Sequence, residues 1–193
     1  MTDRMEIHLG GSTFDNAIRR SGFKTYHEWN DEIAEELVEQ SKEPLVMSST
    51  PRDFSERFSS VEAANEWYEK ADRSVYSLRS SSGLAGIFWL SKESYESADE
   101  TMAIRLYEIA RGKGLAVLFG KTALYHNERW LGYKGDVWLE TGINNYAAQS
   151  TFERLSFVEI NDENTAPHRL KMVRSGVATR DRIQRDQQQK HTR

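Results

Sequence analysis

A chain of 193 residues, 38% hydrophobic and 29% charged, can bury the core of one domain and is short for two. It holds no cysteine, which excludes disulfides, a thiolate nucleophile and cysteine-ligated zinc, and a net charge of -4 argues against binding a nucleic-acid backbone as its main task. No run approaches the roughly 18 apolar residues of a membrane helix and the opening residues do not read as a secretory signal, so a cytoplasmic protein with neither membrane nor nucleic-acid partners is expected.

Residues 1–43 read as an acidic extension, with ten acidic residues against five basic ones. Within it Trp29, Ile33 and Leu37, flanked by Ala34 and Val38, draw an apolar stripe on a helix over residues 28–41. That stripe docks either on its own domain or on a partner subunit, and the acidic helix offers a homodimer surface. Gly10-Gly11-Ser12 reads as a turn.

A main domain is expected over residues 44–174. Residues 44–48 read as a short strand and Pro51 as the first residue of a short helix through Phe54 and Phe58. Ser59 with Glu62 makes a capping box for a helix carrying Val61, Ala64, Trp67 and Tyr68. Residues 74–79 and 84–91, joined by a serine- and glycine-rich turn, form a hairpin, and the uninterrupted apolar run 84–90 belongs in mid-sheet under helices on both sides. Residues 101–110 alternate as a strand, with Met102, Ile104, Leu106 and Glu108 on one face. The loop Arg111-Gly112-Lys113-Gly114-Leu115-Ala116 follows, then a helix ending near His126 or Asn127, a strand over 136–141, a helix from Asn145, and two closing strands. The order gives an α/β (α+β) fold, a mixed and mostly antiparallel sheet with helices on both faces. Residues 175–193 are polar, with five basic residues against two acidic ones, and read as a solvated tail.

A strand feeding a glycine-bearing loop that opens a helix makes an anion site, because the first helical amides lack intrahelical acceptors. Here the hexapeptide at 111–116 resembles the Arg/Gln-x-x-Gly-x-Gly/Ala signature of the GCN5-related N-acetyltransferase (GNAT) superfamily. Leu139-Glu140-Thr141, followed by Asn145, Ala148, Phe152, Leu155 and Phe157, is similar to that family's second motif. The resemblance implies an acetyl-CoA cofactor. Its pyrophosphate would sit on the amides of 111–116, reached from Ile109 and Ala110, and its pantetheine arm would lie between the splayed strands. Glycines 112 and 114 admit close approach, the helix dipole favours negative charge, and Arg111 and Lys113 add cations. Asn145 matches the family residue that bonds the cofactor arm, with helix capping as the plain alternative.

The activity implied is direct acetyl transfer to the amine of a small-molecule or peptide acceptor. An alkylamine of pKa near ~10.4 must lose a proton, so a carboxylate near the nucleophile is useful. Glu140, matching the motif glutamate, is the first candidate base, and Glu108 the second. Phe152 stands where the family commonly has a tyrosine acid, so the thiolate must take its proton from water or from the acceptor, or the chain binds acyl-CoA as a regulatory domain without turnover. Ser156 stands where the family has glycine. Tyr146 falls off the Phe152 face of its helix. His126 reads as a helix cap, and Trp67, Trp89, Trp130 and Trp138 as core or acceptor-cleft residues.

Overall fold

The computed structural model describes residues 5–7, 13–92 and 99–176. The expected Gly10-Gly11-Ser12 turn and the tail after residue 176 lie outside the described residues. Eight strands form one sheet in the order β1-β2-β3-β4-β5-β6-β8-β7. They are β1 (Met5–Glu6), β2 (Lys24–His27), β3 (Arg73–Ser80), β4 (Gly83–Lys92), β5 (Glu100–Leu106), β6 (Val137–Gly142), β7 (Val158–Ile160) and β8 (Arg169–Arg174). Every neighbouring pair is antiparallel except β5 and β6. The helices are α1 (Thr13–Arg20), α2 (Asp31–Ser41), α3 (Pro44–Ser49), α4 (Val61–Glu69), α5 (Leu115–Arg129) and α6 (Tyr146–Arg154).

The apolar run of β4 lies mid-sheet as its pattern predicts, with Ala85, Phe88 and Leu90 in one core layer and Leu84, Ile87 and Trp89 in the other. Ile18, Leu115, Phe119 and Phe152 cover the first layer, from α1, α5 and α6. Ile33, Leu37, Ala64 and Trp67 cover the second, from α2 and α4. The α2 stripe therefore packs on its own sheet. The residues before Pro44, expected as an appended segment, supply β1, α1, β2 and α2 to this architecture. Part of their negative charge is met by Arg79 of β3, which pairs with Glu32 at 2.8 Å and Glu36 at 2.6 Å. Among the described residues no helix is long and apolar enough to cross a membrane.

Three local expectations change. Residues 44–49 form a helix, because Pro44 sits at its first position with a preset φ, and the Ser49 hydroxyl donates to the Leu45 carbonyl (2.6 Å). The cap of α4 is Ser60, one residue later than expected, whose Oγ accepts from the Ala63 amide (3.2 Å). β5 ends at Leu106: the Tyr107 carbonyl accepts from the Ala110 amide (2.9 Å), and residues 108–110 coil into one 3-10 turn.

The closing turn of α6 is a full Schellman motif. Ser156 takes φ 68°, its amide donates to Glu153, the Phe157 amide donates to Phe152, and the two phenylalanine rings meet at 6.0 Å. The left-handed conformation thus survives without glycine, at a steric cost. Ser156→Gly should stabilise the fold by about 0.5–1 kcal/mol, read as a higher urea midpoint at unchanged slope. A lower midpoint would contradict this.

Glu100 begins β5 and is 6% exposed; its Oε2 accepts from the Asn127 side chain of α5 at 2.8 Å. Burial raises its pKa from 4.5 to about 7. Between those values the unfolded chain is ionised and the folded one still protonated, so this group's contribution is greatest below pH 4.5 and is lost as pH rises through 7. Glu100→Gln should therefore raise stability on the order of 1 kcal/mol near pH ~8, and hardly at all near pH ~4. Equal effects in melts at both pH values would contradict this.

Candidate active site

β5 and β6 pair in parallel at only two places, Glu100 with Val137 and Thr101 with Trp138. The Glu100 amide donates to the Asp136 carbonyl (3.0 Å), and alternation then aims the backbone groups of Met102, Ile104 and Leu106 toward β6. Past the Thr101–Trp138 pair the strands part, leaving the groups of Ile104 and Leu106 without a ladder partner on that side. Arginines take up two of the carbonyls: Arg105 Nη1 donates to Ile104 (3.0 Å) and Arg111 Nε to Leu106 (2.8 Å). A cleft of about 830 Å3 opens between the strands, with Phe152 and Ala148 of α6 on one wall and Ser49 and Thr50 at the end of α3 on another.

One mouth of the cleft is the loop expected from the sequence. Gly112 and Gly114 take φ 71° and 69°, and a Cβ at either would meet no heavy atom within 4 Å. Open space therefore lies before the first turn of α5, a 15-residue helix whose leading amides and dipole favour an anion. These residues fit a pyrophosphate. Leu115 and Ala110 are fully buried and Ile109 packs on the core, so they position the loop. Arg111 and Ala116 reach the cleft wall. The guanidinium of Arg111, expected as a phosphate partner, is bound to Glu43 and to the Leu106 carbonyl, and so braces the loop against the end of β5. The exposed Lys113 keeps its ammonium 5.3 Å from the Phe23 ring.

Asn145 and Phe152 both line the cleft. Asn145 caps α6, its Oδ1 accepting from the Ala148 amide (3.2 Å). Of the two candidate bases, the structure brings Glu140 to the cleft, with its Oε2 3.5 Å from Arg169 Nε and Lys171 opposite on β8. Glu108 lies past the end of β5, exposed on the 3-10 turn and away from the cleft lining, because the strand stops before it. His126 is buried inside α5, which continues to Arg129, and its Nδ1 is 3.2 Å from the Tyr76 hydroxyl. Burial drops its pKa to about 4, which leaves it neutral. Trp130 is exposed, Trp138 lies under the Lys171 ammonium at 4.5 Å, and Trp67 and Trp89 border a separate chamber.

Sequence reasoning missed the cations around the cleft. Arg105 is held by the buried Asp53 at 2.9 Å, and Arg169 donates to the Glu140 carbonyl at 2.8 Å. Arg105 and Asp53 are 52 residues apart, so no local spacing joins them.

No protein-family model matches the chain, and no curated protein matches it by sequence. Solved structures do match. A spermidine N-acetyltransferase from Vibrio cholerae, in complex with CoA and spermine, superposes with TM-score 0.62 at 17% identity over 80% of this chain and 95% of that one. A chimera of the Vibrio cholerae spermidine N-acetyltransferase SpeG and hSSAT gives 0.64 at 16% identity, covering 82% and 97%. A putative phosphinothricin N-acetyltransferase gives 0.60 at 17%, covering 79% and 98%. The fold is that of the GNAT acetyltransferases.

Proposed function

We propose that this GNAT-fold chain is an acetyl-CoA-dependent N-acetyltransferase that moves an acetyl group directly to an amine, and that it works in the cytoplasm. One observation carries the reading: β5 and β6 part after two paired positions around a cleft whose mouth is the glycine loop opening α5. The proposal is supported by the two sequence motifs on those elements and by structural neighbours named as N-acetyltransferases of amines, one of them with CoA.

Bound acetyl-CoA supplies a thioester carbonyl open to attack. The backbone amides of Gly112 to Ala116 hold the phosphates, the freed amides of Ile104 and Leu106 donate to carbonyls lying along β5, and Asn145 orients the arm. Glu140 takes the proton from the acceptor ammonium, directly or through water, while Arg169 keeps its carboxylate at the cleft. Phe152 contributes no proton; the leaving thiolate, whose thiol has a pKa near ~8.5, can take one from water or from the acceptor. Release of free thiol from acetyl-CoA with a panel of amines tests the reading. An acceptor-dependent release is expected. The wall position of Phe152 favours a second reading, an acyl-CoA-binding domain without turnover, which tight CoA binding with no release across the panel would establish.

A further inference from the structure

A second chamber of about 610 Å3 lies on the α2/α4 face of the sheet, floored by Ser91 of β4 and Thr101 of β5 and bordered by Trp67, Trp89, Arg57 and Arg73. It adjoins the cleft along one strand face. Thr101 borders the chamber, Ala103 and Arg105 border the cleft, and side chains two residues apart on a strand are about 6.6 Å apart on the same side. Trp89 stands between the two spaces, opposite Ala103 in register, with the Arg105 guanidinium 5.2 Å from its ring.

The charged residues of the chamber wall are Arg52, Arg57, Lys70, Arg73 and Lys92 against Glu56 and Glu66, and Lys92 pairs with Asp72 at 2.7 Å. Arg57 pairs with Asp53 at 2.7 Å, and Arg52 at the rim pairs with Glu56 at 2.9 Å. Among the described residues Arg73 meets no carboxylate. Its guanidinium lies 4.5 Å from the Trp67 ring and Nη1 donates to the Trp67 carbonyl, while its Nε is buried without a partner. Burial, and then the nearby Arg57 charge, lower its pKa to about 10. Capping the last turn of α4 accounts for one N–H of five. It leaves the rest of a guanidinium that meets no carboxylate at the chamber wall, an arrangement that an anionic ligand would relieve.

We infer, resting on the acetyltransferase reading, that the chamber receives the carboxylate of an acceptor whose amine lies in the cleft, which makes the acceptor an amino carboxylate and not a di- or polyamine. The planar guanidinium of Arg73 suits a two-pronged carboxylate contact, and the tryptophans suit a flat or methylene body between the two ends. A second ammonium would meet the unpaired Arg73 guanidinium instead and be repelled.

Matched acceptors test this: 4-(aminomethyl)benzoate against benzylamine, and 6-aminohexanoate against pentylamine and 1,5-diaminopentane. In wild-type protein the carboxylate-bearing member should show kcat/KM about 10–100-fold above its partner, mainly through KM. In Arg73→Leu that ratio should collapse toward one, and Arg73→Lys should restore part of it. A ratio within one preparation is insensitive to loss of folded protein. A wild-type ratio near one, preference for the diamine, or a ratio unchanged in Arg73→Leu would overturn the inference while leaving acetyl transfer intact. Titration of 4-(aminomethyl)benzoate followed by tryptophan emission needs no turnover. Saturable binding weakened about 10-fold or more in Arg73→Leu supports the site even if no acceptor is acetylated, and absence of binding to wild-type protein overturns it.

Discussion

Gly114→Asp should abolish CoA binding while leaving the protein folded. The Cβ it adds meets no protein atom within 4 Å, so no packing is disturbed. Gly114 takes φ 69°, and a non-glycine residue there costs about 1–2 kcal/mol, which a domain of this size survives. The carboxylate would point into the space before α5 where the pyrophosphate is placed. At ~5 Å and an effective dielectric near ~20, each unit of phosphate charge meets about 3 kcal/mol of repulsion, more than ~100-fold in affinity. Calorimetric titration with CoA reads this, and Gly114→Ala separates charge from backbone strain by losing much less. Unchanged affinity in Gly114→Asp would mean that the phosphates lie elsewhere.

Glu140→Gln should lower kcat about 100-fold with little change in CoA affinity, because the amide keeps the shape of the carboxylate but accepts no proton. Arg169, 3.5 Å away, would lose its ionic partner. A lost contact of that partly exposed kind is worth about 1 kcal/mol or less, too small to explain a 100-fold effect by unfolding. An unchanged kcat would remove Glu140 from the base role.

What the sequence revealed was what is local in the chain. The glycine loop could be read because a strand, two glycines and a helix start within a dozen residues, and the structure gives both glycines the left-handed backbone that such a loop requires. The β3–β4 hairpin and the α2 stripe could be read because each carries its own period. β1 and β2, of two and four residues, are too short to show any, so the first 43 residues read as an extension although they form part of the sheet. The Leu45-Val46-Met47 run fits a strand or a helix equally, and the proline before it decided for a helix. Glu108 continued an alternation that ended two residues earlier, because the Tyr107 carbonyl accepts from the Ala110 and Arg111 amides and the chain coils there. The Arg105–Asp53 pair and the Arg73 chamber join residues far apart in the chain, and only the folded sheet brings them together.

The most direct test follows the acetyl group itself. Protein incubated with acetyl-CoA labelled in the acetyl carbon and an accepted amine should place the label on the amine nitrogen, with one free thiol per acetyl moved and none retained on the protein, as direct transfer in a chain without cysteine requires. Label that stays on CoA across a broad amine panel, or that accumulates on the protein, would contradict the account.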